Sequence, residues 1–160
     1  AKVGDFGLSA RLFGTKSLKA EQASVMGHIN PRWAAPEVLS GEEYSTLSDV
    51  YAMGITMWEV MTWQKAFEGE LGDVKEKVMK GERMSLDFTM SDEHTTNKMR
   101  ALIASCWAHD PQSRPSFEKI CDQLQSIAPS YFKTIFSTTK RKQRKHKKVG
   151  QSSLSDQPKF

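Results

Sequence analysis

Ser48-Asp49-Val50-Tyr51-Ala52-Met53-Gly54-Ile55-Thr56-Met57-Trp58-Glu59-Val60-Met61-Thr62-Trp63 is the stretch on which the reading of the fold turns. Val50, Met53, Gly54, Met57, Trp58 and Met61 fall at i, i+3, i+4, i+7, i+8 and i+11, the spacing of one helical face. Tyr51, Ile55, Val60 and Trp63 fill much of the rest, so Thr56, Glu59 and Thr62 leave only a narrow polar stripe. A helix apolar nearly all round belongs in the centre of a domain, and this one is the expected hub. Its apolar part, Val50 to Trp63, is 14 residues long, too short to span a bilayer.

Three weaker helices are expected downstream, the second clearly amphipathic. Leu71, Val74 and Val78 mark the first, which Gly81 ends after Lys80. Met99, Leu102, Ile103, Cys106 and Trp107 mark the second; Phe117, Ile120, Cys121, Leu124 and Ile127 mark the third. Pro115 suits the third helix's first turn, where no N–H donor is needed, and Pro129 closes the regular structure. Upstream, residues 1–4 can form only the end of a short strand. Residues 8–34 lack periodicity and hold Gly14, Gly27 and Pro31, which reads as a long functional or disordered loop. The fold class is mostly α, without internal repeats.

The composition suits one soluble domain, with 160 residues of which 38% are hydrophobic. The net charge of +4 is unevenly spread. Residues 129–160 carry nine Lys/Arg against one acid, which leaves residues 1–128 at −4. Two cysteines, Cys106 and Cys121, make neither a disulfide framework nor a metal cluster. Both fall on apolar helix sides and are expected to be reduced core thiols, which points to an intracellular compartment.

Four motifs lie on loop or helix boundaries in a fixed order: Asp5-Phe6-Gly7-Leu8-Ser9; Pro31-Arg32-Trp33-Ala34-Ala35-Pro36-Glu37; Ser48-Asp49-Val50-Tyr51-Ala52-Met53-Gly54; and Cys106-Trp107 with Asp110-Pro111-Gln112-Ser113-Arg114-Pro115. Together, from Ala1 to about Ile127, the chain resembles the C-terminal lobe of a protein kinase, closest to the tyrosine-kinase-like group. The resemblance implies an activation segment followed by helices F to I, so residues 1–128 are expected to form a partial kinase domain.

What the resemblance implies for chemistry can be stated residue by residue. Asp5 would hold Mg²⁺ against the phosphates of ATP, because a small hard cation takes oxygen ligands. Phe6 would pack inward and set where Asp5 points, and Gly7 would permit the backbone turn. Glu37 and Arg114 would pair in a partly buried bridge that anchors the activation segment. Asp49 is similar to the helix F acid that receives N–H groups of the catalytic loop, so here it is expected to lack its main partners. Thr15 and Ser24 are the candidate phosphosites among Ser9, Thr15, Ser17 and Ser24, since a phosphate there can order a loop by pairing with Arg or Lys.

Asn30 and Trp33 fall in the substrate-positioning part of the segment. Ser/Thr kinases usually carry Gly-Thr where Ile29-Asn30 stands, which leaves Ser/Thr versus Tyr specificity open. No Gly-rich loop, strand Lys, helix C Glu or H-R-D-x-x-x-x-N stretch occurs in the sequence. The resemblance therefore implies a C-lobe fragment that lacks its N-lobe and catalytic loop, contains no catalytic residue and is inactive by itself. The intact protein would transfer the ATP γ-phosphoryl group to a protein hydroxyl; a non-catalytic scaffold or pseudokinase module is the alternative.

Lys140-Arg141-Lys142-Gln143-Arg144-Lys145-His146-Lys147-Lys148 holds seven basic residues within nine. Gly, Ser, Gln and Pro follow, and residues 129–160 are expected to be a disordered tail. A nuclear import signal, contact with anionic lipid or nucleic acid, and a plain solubilising tail all fit its charge. The expected location is cytoplasmic, with the tail as a route to the nucleus.

Overall fold

A computed structural model describes residues 17–19 and 29–129 of the chain. In chain order they form β1 (Ser17–Lys19), α1 (Pro36–Leu39), β2 (Glu43–Ser45), α2 (Thr46–Thr62), α3 (Leu71–Met79), α4 (Glu93–Cys106), one 3₁₀ turn (Pro111–Ser113) and α5 (Phe117–Ile127). The described part is mostly α. It departs from the sequence reading at β1, which lies in the stretch read as loop. This strand pairs antiparallel with β2 in the register Ser17 to Ser45, Leu18 to Tyr44 and Lys19 to Glu43.

Two compact units divide the chain, the first ending at Ile120 and the second starting at Cys121. In the first unit α2 is the hub. Ser45 caps it: its hydroxyl accepts from the Leu47 N–H at 3.1 Å, while the Ser45 N–H donates to the Ser48 hydroxyl at 3.2 Å. This reciprocal pairing satisfies donors that the first helical turn leaves orphaned. Val50, Tyr51, Gly54, Ile55, Met57 and Trp58 are buried, and α2 packs against α4. Gly54 makes that packing close, because a Cβ there would lie 2.8 Å from the Cys106 Cβ.

The all-round burial expected of α2 is not what the structure has. Val60 is 62% exposed and Trp63 93% exposed, while Met53 and Met61 are half-buried. The buried surface is an arc centred on Val50, Ile55 and Trp58, and the helix's C-terminal turn runs out of the core. Trp63 ends the helix with φ 55°, in the left-handed region.

The short helices stop for backbone reasons. After α1, Gly41 takes φ 78°, its N–H bonds to Val38 O at 3.2 Å and the Glu42 N–H bonds to Glu37 O at 2.8 Å. After α3, Gly81 takes φ 80°, with Gly81 N to Val78 O and Glu82 N to Lys77 O both at 3.0 Å. Each is a left-handed glycine cap that satisfies two terminal carbonyls. Asp92 caps α4 by accepting from the Thr95 N–H at 2.8 Å.

The start of α5 also differs from expectation. Ser116 precedes the helix and its hydroxyl accepts from the Lys119 N–H at 3.4 Å, so Pro115 lies before the cap and not in the first turn. Ile120 is the buried residue of α5, and Phe117 is exposed. In the second unit Leu124 and Ile127 are half-buried, and the Ala128 N–H bonds to Leu124 O at 2.9 Å. Cys121 is exposed and is not the core thiol expected of it: it borders α5's apolar stripe without being covered. Cys106 is buried, and burial pushes its thiol up to about 11, partly offset by a hydrogen bond with Ser105.

Candidate functional site

Pro36 opens α1 at a position that needs no N–H, and Glu37 follows it into the interior. Seventy-seven positions later the 3₁₀ turn delivers Arg114 to the same place. Asp110 shapes that turn: its carboxylate accepts from the Gln112 N–H at 3.0 Å and from the Ser113 hydroxyl at 2.9 Å. Arg114 Nη1 donates to Glu37 Oε1 at 2.7 Å and Nη2 to Glu37 Oε2 at 2.9 Å, a bidentate ion pair.

The remaining donors of the same guanidinium reach backbone. Nη1 also donates to Leu47 O at 2.9 Å, Nη2 to His109 O at 3.2 Å, and Nε to Ala108 O at 2.9 Å. All five N–H groups of Arg114 are therefore used. Ser48 adds a hydroxyl to Glu37 Oε1 at 2.9 Å. Burial raises the Glu37 pKa, but the Arg114 hydrogen bonds and charge, a backbone hydrogen bond and Ser48 outweigh it, and the carboxyl sits below its ordinary value. One side chain thus ties α1, the start of α2 and the loop after α4 together.

Tyr51 lies beside this knot. The Arg114 and Arg83 guanidinium carbons stand 5.1 and 5.0 Å from its ring centroid, within cation–π range. Its hydroxyl is buried without a hydrogen-bond partner among the described residues. Burial pushes the phenol up to about 12, against the lowering charges of Arg83 and Arg114.

The segment before α1 is held by a second set of bonds. The Asn30 side-chain oxygen accepts from the Arg32 N–H at 3.1 Å, and its carbonyl accepts from the Trp33 N–H at 3.3 Å, which closes the Pro31–Trp33 turn. Asn30 is thus already engaged within its own turn. The Trp33 indole donates to Glu59 Oε2 at 2.9 Å, and the other oxygen of Glu59 accepts from the Ala66 N–H at 2.9 Å. Arg32 is buried; it donates to Ala66 O at 3.3 Å, to Gly69 O at 2.7 Å and to Phe67 O.

Asp49 is exposed and accepts a hydrogen bond from the Tyr44 hydroxyl. Burial first, and that bond second, raise the Tyr44 pKa. Asp5, Phe6 and Gly7, the candidate phosphosites Thr15 and Ser24, and the basic run 140–148 all lie outside the described residues. Among the described residues no three His, Cys, Asp or Glu side chains come together to hold a metal ion.

The structure brings Glu37 and Arg114 into contact, and joins Asn30 and Trp33 in one turn. Arg32 and Ser48 stand inside the quoted motifs and Glu59 in the polar stripe of the central helix, but the sequence reading gave none of the three a role. Glu59 carried a signal nonetheless, as the one charged residue in the central helix's narrow polar stripe.

With this geometry in view, comparison with known proteins identifies the class. The family model for protein tyrosine and serine/threonine kinases matches residues 1–124. The chain belongs to that family. Similar proteins include "Probable serine/threonine-protein kinase roco7" of Dictyostelium discoideum, 34% identical over 137 residues, which is 82% of this chain and 5% of that protein. The dual specificity protein kinase shkC of the same organism is 39% identical over 129 residues, 79% of this chain and 24% of its own length. The tyrosine-protein kinase receptor TYRO3 of Danio rerio is 36% identical over 127 residues, 78% of this chain and 14% of its own. The chain thus spans a small part of each relative's length. Their names cover serine/threonine, dual and tyrosine specificity, in keeping with a tyrosine-kinase-like segment. No helix among the described residues is long and apolar enough to cross a membrane.

Proposed function

We propose that these residues are the activation-segment and helical part of a C-terminal kinase lobe, in a protein that transfers the γ-phosphoryl group of ATP to a protein hydroxyl. The observation that carries the reading is the Glu37–Arg114 ion pair, closed across 77 positions with every guanidinium donor used. It is a device for fixing one end of a segment to a distant turn, and an activation segment needs such an anchor. Mg²⁺–ATP supplies the phosphoryl group and neutralises its charge. Asp5 would hold the metal, with Phe6 and Gly7 setting its orientation. Asn30 to Trp33 would present the acceptor peptide, and phosphorylation at Thr15 or Ser24 would order the segment before them.

By itself the 160-residue chain is inactive in this reading, because its sequence contains no H-R-D-x-x-x-x-N loop to accept the substrate proton or hold a second metal. The working protein would act inside the cell, and the 140–148 run would add contact with anionic polymers or surfaces.

The test is the coding sequence continuous with Ala1. A reading frame with a Gly-rich loop, a strand lysine and H-R-D-x-x-x-x-N supports the kinase, and a start codon or stop near Ala1 counts against it. Calorimetric titration of the chain with Mg²⁺–ATP should show no tight binding; micromolar affinity would contradict the proposal.

A further inference from the structure

We infer that Met79 is an oxidation site whose sulfoxide takes the Ser40 hydroxyl, fastening the end of α3 to the end of α1. The inference stands apart from the phosphoryl chemistry proposed above. Of the eight methionines in the sequence, Met26 lies outside the described residues. Met57 and Met99 are 8% exposed, and Met53, Met61, Met84 and Met90 are half-buried. Met79 is 38% exposed, the most open of the described seven. A thioether is oxidised where the oxidant can reach it.

The sulfur also has a partner. Met79 ends α3, and the Ser40 hydroxyl, at the cap of α1, donates to its sulfur at 3.8 Å. The same hydroxyl donates to Pro36 O at 2.9 Å, so one proton is divided between a carbonyl and a weaker acceptor. Pro36 O also accepts from the Ser40 N–H at 2.9 Å. The hydroxyl can therefore turn wholly to a better acceptor without leaving that carbonyl unpaired.

Hydrogen peroxide makes such an acceptor. A sulfur lone pair attacks one peroxide oxygen and the O–O bond breaks. The departing hydroxide takes the proton left on the new S–O group and becomes water. Sulfur is oxidised by two electrons and the peroxide is reduced. The sulfoxide oxygen accepts strongly where the thioether accepted weakly. Ser40 then joins α3 to α1 by a bond of ordinary strength, beside the glycine cap that closes α1. In that cap the Glu42 N–H bonds to Glu37 O at 2.8 Å, so the oxidation is felt at the backbone of the ion-paired residue. Sulfoxide reductases reverse the change.

The test treats the full-length protein with hydrogen peroxide and maps oxidation by peptide mass spectrometry. Met79 should be oxidised about tenfold or more faster than Met57 and Met99. Amide hydrogen exchange over residues 36–42 should slow about two- to tenfold after oxidation, the range for one added hydrogen bond. Met79→Leu and Ser40→Ala should each abolish the slowing. Met79→Gln carries a carbonyl oxygen on a side chain of similar length, and should slow exchange without any oxidant. That variant decides the matter should peroxide unfold the protein through other residues. Oxidation of Met79 no faster than that of Met57, or exchange unchanged or faster after oxidation, would overturn the inference. So would slowing that survives Ser40→Ala, or a Met79→Gln protein that exchanges like wild type.

Discussion

Replacing Arg114 with alanine removes five N–H donors at once and leaves Glu37 buried as a carboxylate. Ser48 would be its remaining side-chain partner, at 2.9 Å. The carbonyls of Leu47, Ala108 and His109 would lose the same donor group. Breaking a buried pair by deleting one partner costs about 3–5 kcal/mol, chiefly from the charge left unpaired. Against a typical stability of roughly 5–15 kcal/mol, that is a large part of the whole. Urea unfolding followed by tryptophan fluorescence reads it directly, because Trp58 and Trp107 are buried beside the affected elements. The double variant Arg114→Leu with Glu37→Gln should cost less than the sum of its single changes, since neither buried charge is then stranded. A midpoint for Arg114→Ala equal to wild type, or strict additivity in the cycle, would refute the reasoning.

Other consequences follow from the same packing. Gly54→Ala should destabilise by about 1–3 kcal/mol, because its Cβ would meet the Cys106 Cβ at 2.8 Å and overpacking outweighs the helix propensity gained. Gly72→Ala, with nothing within 4 Å of the new Cβ, should instead stabilise by up to about 1 kcal/mol; the two denaturation midpoints must move in opposite directions. Tyr51→Phe should be neutral or stabilising by up to about 1 kcal/mol, since it deletes a buried hydroxyl without a partner and keeps the ring under both guanidinium groups; a clear loss of stability contradicts this. The Glu37 carboxyl is held below its ordinary value of 4.5 in the folded protein. Its contribution is therefore complete above that value and is lost as pH falls through the folded pKa. The stability gap between wild type and Glu37→Gln, measured across that range, should narrow on acidification; a gap that widens would reverse the sign.

The helical frame was legible because its signals are local. Gly81 after Lys80, and the apolar spacing of Leu71, Val74 and Val78, mark α3 without reference to any other element. The limits of that signal show at Trp63, Val60 and Cys121, which periodicity places on apolar faces and the structure leaves exposed. Spacing defines a face, but what covers it is decided by other elements. β1 and β2 were missed because three-residue strands separated by a long segment carry no period to read. The Glu37–Arg114 contact, 77 positions apart, has no local signature, and the family resemblance supplied the expectation of it. The Glu59 bridge had a local hint, the one charged residue in the helix's narrow polar stripe, but its partners Trp33 and Ala66 lie in loops whose geometry emerges only on folding.

The most direct test of the central claim is transfer of labelled γ-phosphoryl from ATP to a protein hydroxyl. It is measured for the full-length protein, its Asp5→Asn variant and the 160-residue chain alone. The account predicts transfer by the first and essentially none by the other two. Undiminished transfer with Asp5→Asn, or turnover by the isolated chain, would contradict it.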